Sequence, residues 1–286
     1  MGFGALAMAF VLLLVGQTPS PPALVLTATS RSVQPGELVV LTVTTTGEVA
    51  TLRARAFERS MLSYRVDART WTVLVGIDLD VKPGKYMVTL EAGPAARIER
   101  GTQELVVTAK SFPTRTLKVD EAFVNPPASA QKRIADEAAE IARCWSAATP
   151  EKLWTAGFVR PVSQPANSAF GTRSIFNGQP RSAHSGADFL SPAGTPVASP
   201  GGGRVVLAKD LYFSGNTVIV DHGAGVFSML AHLSAINVEP GTVLAAGDIV
   251  GRVGATGRVT GPHLHWTVRV NGARVDPLAL LALLGK

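Results

Sequence analysis

All five histidines of this 286-residue chain fall between positions 184 and 265. His184 precedes Asp188 by four residues in His184-Ser185-Gly186-Ala187-Asp188, and His263 and His265 flank Leu264 in Gly261-Pro262-His263-Leu264-His265-Trp266. In a strand, side chains at i and i+2 share a face, so the latter two imidazoles can converge while Leu264 enters the opposite layer. Two imidazoles and one carboxylate make a three-ligand set that leaves a fourth position for water, the arrangement of a catalytic rather than a structural zinc site. Cys144 is the sole cysteine, which excludes a Cys-rich structural zinc site and any internal disulfide. Its position three residues after Ile141 on an apolar stripe reads as a small core residue, not a thiol catalyst. A single histidine in a strand is ordinarily a satisfied polar residue; the combination is what points to a metal. Rival chemistries lack their motifs: there is no Gly-x-Ser-x-Gly elbow, no His-Glu-x-x-His helix and no P-loop. Carboxylates for glycoside cleavage could converge from distant positions, but that reading leaves the histidines unexplained.

The elements that must position these residues read as mainly β. At 46% hydrophobic and 17% charged the chain is neither disordered nor a helical bundle, and its length suggests two domains. Residues 157–286 carry short strands among dense Gly and Pro, such as Asn216-Thr217-Val218-Ile219-Val220 and His265-Trp266-Thr267-Val268-Arg269-Val270. Residues 110–156 form a linker whose helix places Ile134, Ala138, Ile141 and Trp145 at helical spacing between charged residues, bounded by Pro126-Pro127 and Pro150. Residues 23–109 alternate apolar and polar positions in runs such as Leu38-Val39-Val40-Leu41-Thr42-Val43, punctuated by Pro35-Gly36 and Pro83-Gly84. That pattern predicts an independent antiparallel sandwich, immunoglobulin-like in outline, which supplies no catalytic group.

Residues 1–22 open with an uncharged, apolar stretch from Phe3 to Val15, shorter than the ~20 residues of a spanning helix. We read an export signal, with an uncleaved anchor as the alternative and the only route to a membrane; a basic n-region and an A-x-A site are missing. The net charge of +6 would suit an anionic partner, but scattered Lys and Arg, with no basic helix and no Arg/aromatic interleaving, argue against nucleic acid.

His-x-x-x-Asp, the isolated histidine of Leu230-Ala231-His232-Leu233, and Gly-Pro-His-Leu-His, in that order, resemble the lysostaphin-type zinc endopeptidases. Framework stretches Ala169-Phe170-Gly171-Thr172-Arg173, Gly194-Thr195-Pro196-Val197, Val220-Asp221-His222-Gly223 and Gly254-Ala255-Thr256-Gly257 are similar to that family as well. The resemblance implies a compact antiparallel β peptidase domain with a groove over Zn²⁺, held by His184, Asp188 and His265. His232 and His263 would flank the catalytic water, with the roles of base and acid unassigned between them, and His222 would be structural. The resemblance further implies peptidoglycan as substrate and an exported chain, periplasmic or associated with the cell envelope. The attached β domain favours cross-link cleavage over glycine-bridge cleavage, and nothing in the sequence names a protein partner. One departure stands out: Leu230 occupies a position where the family commonly has Tyr, which questions a polar contact near the groove. Some relatives lack the metal site and activate another wall hydrolase; that alternative would not need the complete set present here.

Overall fold

The computed structural model describes residues 24–93, 98–118, 121–166 and 170–285. The stretch read as an export signal therefore lies outside the described residues, among which no helix is long and apolar enough to cross a membrane.

Eight strands come first: β1 (Val25–Ser30), β2 (Leu38–Thr44), β3 (Leu52–Ala56), β4 (Arg59–Met61), β5 (Ser63–Arg65), β6 (Thr70–Gly76), β7 (Gly84–Ala92) and β8 (Glu99–Val107). They build two antiparallel sheets ordered β1-β2-β6-β5 and β4-β3-β7-β8, the A-B-E-D and C′-C-F-G strand order of immunoglobulin-type sandwiches. Strand alternation divides β2 and β6 between two layers. Val39, Leu41, Val43, Val73 and Val75 fill the core between the two sheets, whereas Leu38 and Leu74 face away from it.

The remaining elements are β9 (Thr114–Leu117), α1 (Glu121–Val124), α2 (Ala128–Ser146), β10 (Arg173–Phe176), β11 (Gln179–Pro180), β12 (Gly186–Phe189), β13 (Pro196–Ala198), β14 (Gly203–Leu211), β15 (Gly215–Gly223), β16 (Val226–Ile236), β17 (Val243–Leu244), β18 (Ile249–Val253), β19 (Leu264–Val270), β20 (Ala273–Val275) and α3 (Pro277–Leu284). The main sheet runs β12-β19-β16-β15-β14-β17, with β18 pairing β13 and β16, and β20 added to β19. A small sheet, β11-β10-β9, stands beside it, β9 running parallel to β10.

The two faces of the main sheet have different duties. Val218, Val220, Val226, Leu230, Leu264, Trp266, Val268 and Val270 pack into one large core. On the opposite face Leu207, Leu211, Ile219 and Phe227 are covered by Ile141, Cys144 and Trp145 of α2. The helix is tied down by Arg133 to Asp210 at 2.8 Å and Lys209 to Glu140 at 3.0 Å. Its stripe differs from the sequence reading: Ala138 is exposed and Glu137 is buried. Glu137 Oε2 accepts the Tyr212 backbone N–H at 2.8 Å, satisfying a donor at the β14–β15 turn that apolar packing would leave unpaired. Cys144 is half-buried, and burial pushes its thiol pKa up, as suits a packing residue.

The sandwich and the main sheet share one apolar layer, since Leu38 and Leu74 belong to the core that contains Trp266 and Leu280. The Asn271-Gly272 hairpin between β19 and β20 adds polar ties: Asn271 Oδ1 accepts the Leu62 N–H at 2.9 Å and its Nδ2 donates to the Leu74 carbonyl at 2.9 Å. Arg274 forks onto Asp78, with Nε 3.0 Å from Oδ2 and a second contact through Nη2.

Burial alone would raise the Asp78 pKa, but the Arg274 guanidinium and two backbone N–H groups outweigh it and hold it at about 2. The folded value lies below the unfolded one, so this stabilisation is complete above about pH 4 and is lost as pH falls toward 2. Asp78→Asn is expected to cost about 2 kcal/mol at pH 7 and less at pH 2.5, read by urea denaturation at both pH values. Equal stability of the two proteins at pH 7 would show that the fork contributes nothing.

Candidate metal centre

Asp188 and His265 face each other across the antiparallel pair β12–β19. Asp188 Oδ1 lies 2.8 Å from His265 Nδ1 and 3.0 Å from His184 Nε2, and the two ring nitrogens are 3.1 Å apart. His184 precedes β12 and is fixed through its main chain, its N–H donating to the Thr172 carbonyl and its carbonyl accepting the Gly171 N–H. His265 Nε2 is 2.9 Å from Thr267 Oγ1, the next side chain on that face of β19. With Nε2–H donating there, Nδ1 presents its lone pair to Asp188 and His184. When both of these ring nitrogens are unprotonated, the carboxylate oxygen and the two imidazole lone pairs are acceptors in contact. A cation resolves that conflict, and bonds of ~2.0–2.2 Å give ligand separations of about 3.4 Å, so the triangle would open by roughly half an ångström to take one. Burial would raise the Asp188 pKa, yet the hydrogen bonds of His184 and His265 hold it far below the usual carboxylate range, so it is an anion. The three side chains are 12% to 16% exposed, within reach of solvent.

His232 and His263 stand on the open side of this triangle. Their rings are 4.9 Å apart, and His263 Nε2 lies 3.9 Å from Asp188 Oδ1. Both rings are held through Nδ1, which donates to the Thr256 carbonyl at 3.0 Å in His232 and to the Gly261 carbonyl at 2.9 Å in His263. Each therefore turns an Nε2 lone pair toward the groove. Burial first, and then the neighbouring His265, push the His232 pKa down to about 3, so it is neutral at physiological pH.

The placement of His232 depends on a break in β16. Leu230 pairs with Val218 but Leu233 pairs with Asn216, so one extra residue is inserted, and His232 adopts φ 63°. Without that bulge His232 would follow Leu230 into the core; with it the ring swings to the groove face. Thr256, its partner, is clamped by Gly215 and Gly257, which pack so closely that a Cβ on either would overlap the other's backbone. Leu230 itself is fully buried behind the sheet, so its position offers no groove contact.

His222 is likewise behind the sheet and takes no part in the centre. Its Nδ1 donates to the Gly202 carbonyl at 2.8 Å, and its Nε2 accepts from Ser228 Oγ, which accepts from Trp266 Nε1. Burial pushes its pKa down to about 4, keeping this chain of bonds neutral. The sequence reading passed over Thr267, the Thr256 and Gly261 carbonyls, and Gly186. Of these only Thr267 carried a signal, its i+2 relation to His265.

A groove of about 760 Å³ runs over the centre, walled by Ile141 and Trp145 of α2, Phe213, Met229, Leu190 and the 258–260 loop. The Peptidase family M23 profile matches residues 182–277, the segment that holds all five histidines. A crystal structure of a candidate M23 peptidase from Pseudomonas aeruginosa is 35% identical, superposes with a TM-score of 0.68, and covers 88% of this chain and 95% of its own. The chain belongs to peptidase family M23. Curated relatives include the DD-carboxypeptidase/endopeptidase Mpg of Neisseria meningitidis, 41% identical over 97 residues, and the peptidoglycan DD-endopeptidase ShyA of Vibrio cholerae, 42% identical over 95 residues. Those stretches are 34% and 33% of this chain and 22% of each relative, so the match spans about a fifth of the curated relatives' length. M23 membership makes this a metallopeptidase fold, and His184, Asp188 and His265 form a group that could hold a metal ion.

The close packing around His265 supplies a test. A Cβ on Gly186 would collide with the Trp266 carbonyl oxygen and come within 2.8 Å of the His265 ring. Gly186→Ala is expected to weaken metal binding about tenfold or more while leaving the fold intact, measured by competition with a chromogenic chelator alongside circular dichroism. Unchanged affinity would show that this ring can move without harming the site.

Proposed function

We propose that this M23 chain is a zinc-dependent endopeptidase that hydrolyses peptide cross-links of bacterial peptidoglycan, exported to the periplasm or cell envelope where that polymer is met. The observation that carries the reading is the convergence of three metal-ligand atoms with two imidazole lone pairs over one open groove. A site of two nitrogens and one oxygen suits zinc. His184, Asp188 and His265 would hold it, and when bound it polarises a carbonyl and acidifies water. The names of the curated relatives support the substrate class.

The protein's own groups supply the rest. Nε2 of His232 or His263 accepts the proton of the attacking water, and the pair, once one ring is charged, faces the tetrahedral oxygen and the departing amine. The Thr256 and Gly261 carbonyls stabilise that positive charge, because each accepts the Nδ1–H of a ring that becomes imidazolium. Since burial keeps His232 neutral, it begins the reaction as a base and not as an acid.

Purified peptidoglycan should lose cross-linked dimers when digested by zinc-loaded protein and keep them when a chelator is present, as read by mass analysis of the fragments. His232→Ala and His263→Ala should each retain stoichiometric zinc while losing about 10²-fold or more in turnover, whereas His265→Ala should lose zinc. If zinc-loaded protein cuts no bond but accelerates a separate wall amidase, a non-catalytic activator replaces the endopeptidase.

A further inference from the structure

The groove face of β19 presents His265, Thr267 and Arg269 in turn, which sets the backbone of Arg269 about 13 Å from that of His265. Between the two ends lie Thr267, with Met229 opposite it on β16, and the wall formed by Ile141 and Trp145 of α2. In this direction the groove leads from the reaction centre over a largely apolar stretch to a single arginine. Arg269 stands directly opposite Arg274 in the β19–β20 pair, a like-charge pairing that costs stability unless each partner is compensated. Arg274 is compensated, by ion pairs with Asp78 and Asp80. Arg269 has no carboxylate within ion-pair distance among the described residues. Its Nη1 donates to the Gly272 carbonyl at 3.1 Å, its guanidinium lies 5.7 Å from the centre of the Trp145 ring, and its Nε is buried with no hydrogen-bond partner. Burial and then Arg274 lower its pKa, Asp78 raises it, and Arg59 lowers it again.

This cation is partly buried, lies in the field of two other arginines, and is held by one backbone carbonyl and one aromatic ring. Taking a charge from water in this way is costly, and an arriving anion recovers the cost. A guanidinium offers paired N–H donors matched to a carboxylate. The same side chain also lines a second cavity, of about 410 Å³, between β19–β20 and the sandwich. Asp78 and Asp80 line that cavity and would repel an anion, whereas the one carboxylate among the described groove residues is Asp188, at the far end opposite His265. Charge therefore directs an anion to the groove side of Arg269. We propose that Arg269 determines specificity by taking a free carboxylate borne three to four residues from the scissile amide, on a peptide arm laid over Thr267, Met229 and Trp145. An extended arm advances ~3.3 Å per residue, which matches the span between His265 and Arg269. The inference rests on the endopeptidase reading for where the scissile amide lies and on Arg269 for the anion.

The test uses cross-linked peptides with one glutamate either next to the scissile amide or three to four residues from it, each compared with its glutamine counterpart. Zinc-loaded wild type should favour the distant glutamate by about tenfold in kcat/KM, mainly through a lower KM. Arg269→Gln should bring that ratio to about one while the ratio for the adjacent glutamate stays as in wild type, and Arg269→Lys should keep part of the preference, because it retains the charge without the paired donors. Zinc content and circular dichroism check that both variants are folded. The same pairs are titrated calorimetrically into zinc-loaded His232→Ala, where a difference in affinity reads the subsite even if no peptide is cut and the endopeptidase reading fails. Equal affinity for the two distant peptides, or binding of neither, overturns the subsite with Arg269 in place. So does a preference that survives Arg269→Gln in either background, which would place the carboxylate elsewhere in the groove. A preference that falls equally at both positions also overturns it, since Arg269 would then act as a diffuse field and not as a contact.

Discussion

Three hydrogen-bond acceptors held against one another are the constraint on which the site depends. Asp188 Oδ1, His265 Nδ1 and His184 Nε2 sit 2.8 to 3.1 Å apart, an arrangement that only protons or a cation can make favourable. The pairing of β12 with β19 forces two of them together, because the register sets Asp188 directly opposite His265. Everything behind the pair prevents relaxation: Trp266 is fully buried, Gly186 leaves room for no larger residue, and Thr267 fixes the ring's second nitrogen. Rigid elements thus keep a locally unfavourable cluster poised for a ligand, as preorganised sites require.

The two sheet faces explain how so polar a centre coexists with a stable fold. One face buries a continuous apolar layer extending into the sandwich through Leu38 and Leu74, while the other divides its length between the His184, Asp188 and His265 cluster and the patch under α2. The connector helix is therefore part of the groove wall, contributing Ile141 and Trp145. No described residue of the sandwich lines that groove, and its ties through Asn271 and Arg274 hold the far end of β19 and its hairpin.

Much of this was legible in the sequence because strand alternation and local spacing are short-range signals. His265 with Thr267, Leu264 in the opposite layer, and the alternating runs of β2 and β6 follow from period two. The family membership and mainly β architecture expected from the motifs are what the fold and comparisons show. Alternation fails at His232, where a single inserted residue reverses the face, although two buried leucines three apart in Leu230-Ala231-His232-Leu233 mark such a bulge in hindsight. It fails also at Glu137, buried to satisfy a backbone donor 75 residues away. The sharing of a core between sandwich and main sheet was equally hidden, since outward-facing Leu38 and Leu74 look like ordinary strand residues until their partners are placed.

The most direct test is the protonation and ligation state of each histidine ring in zinc-loaded protein, read by long-range proton–nitrogen correlation spectroscopy. The account requires His265 bound through Nδ1 with its proton on Nε2, and His184 bound through Nε2. His232 and His263 should appear as unligated, neutral rings with the proton on Nδ1. A ligated nitrogen in His232 or His263, or an unligated His265, would contradict it.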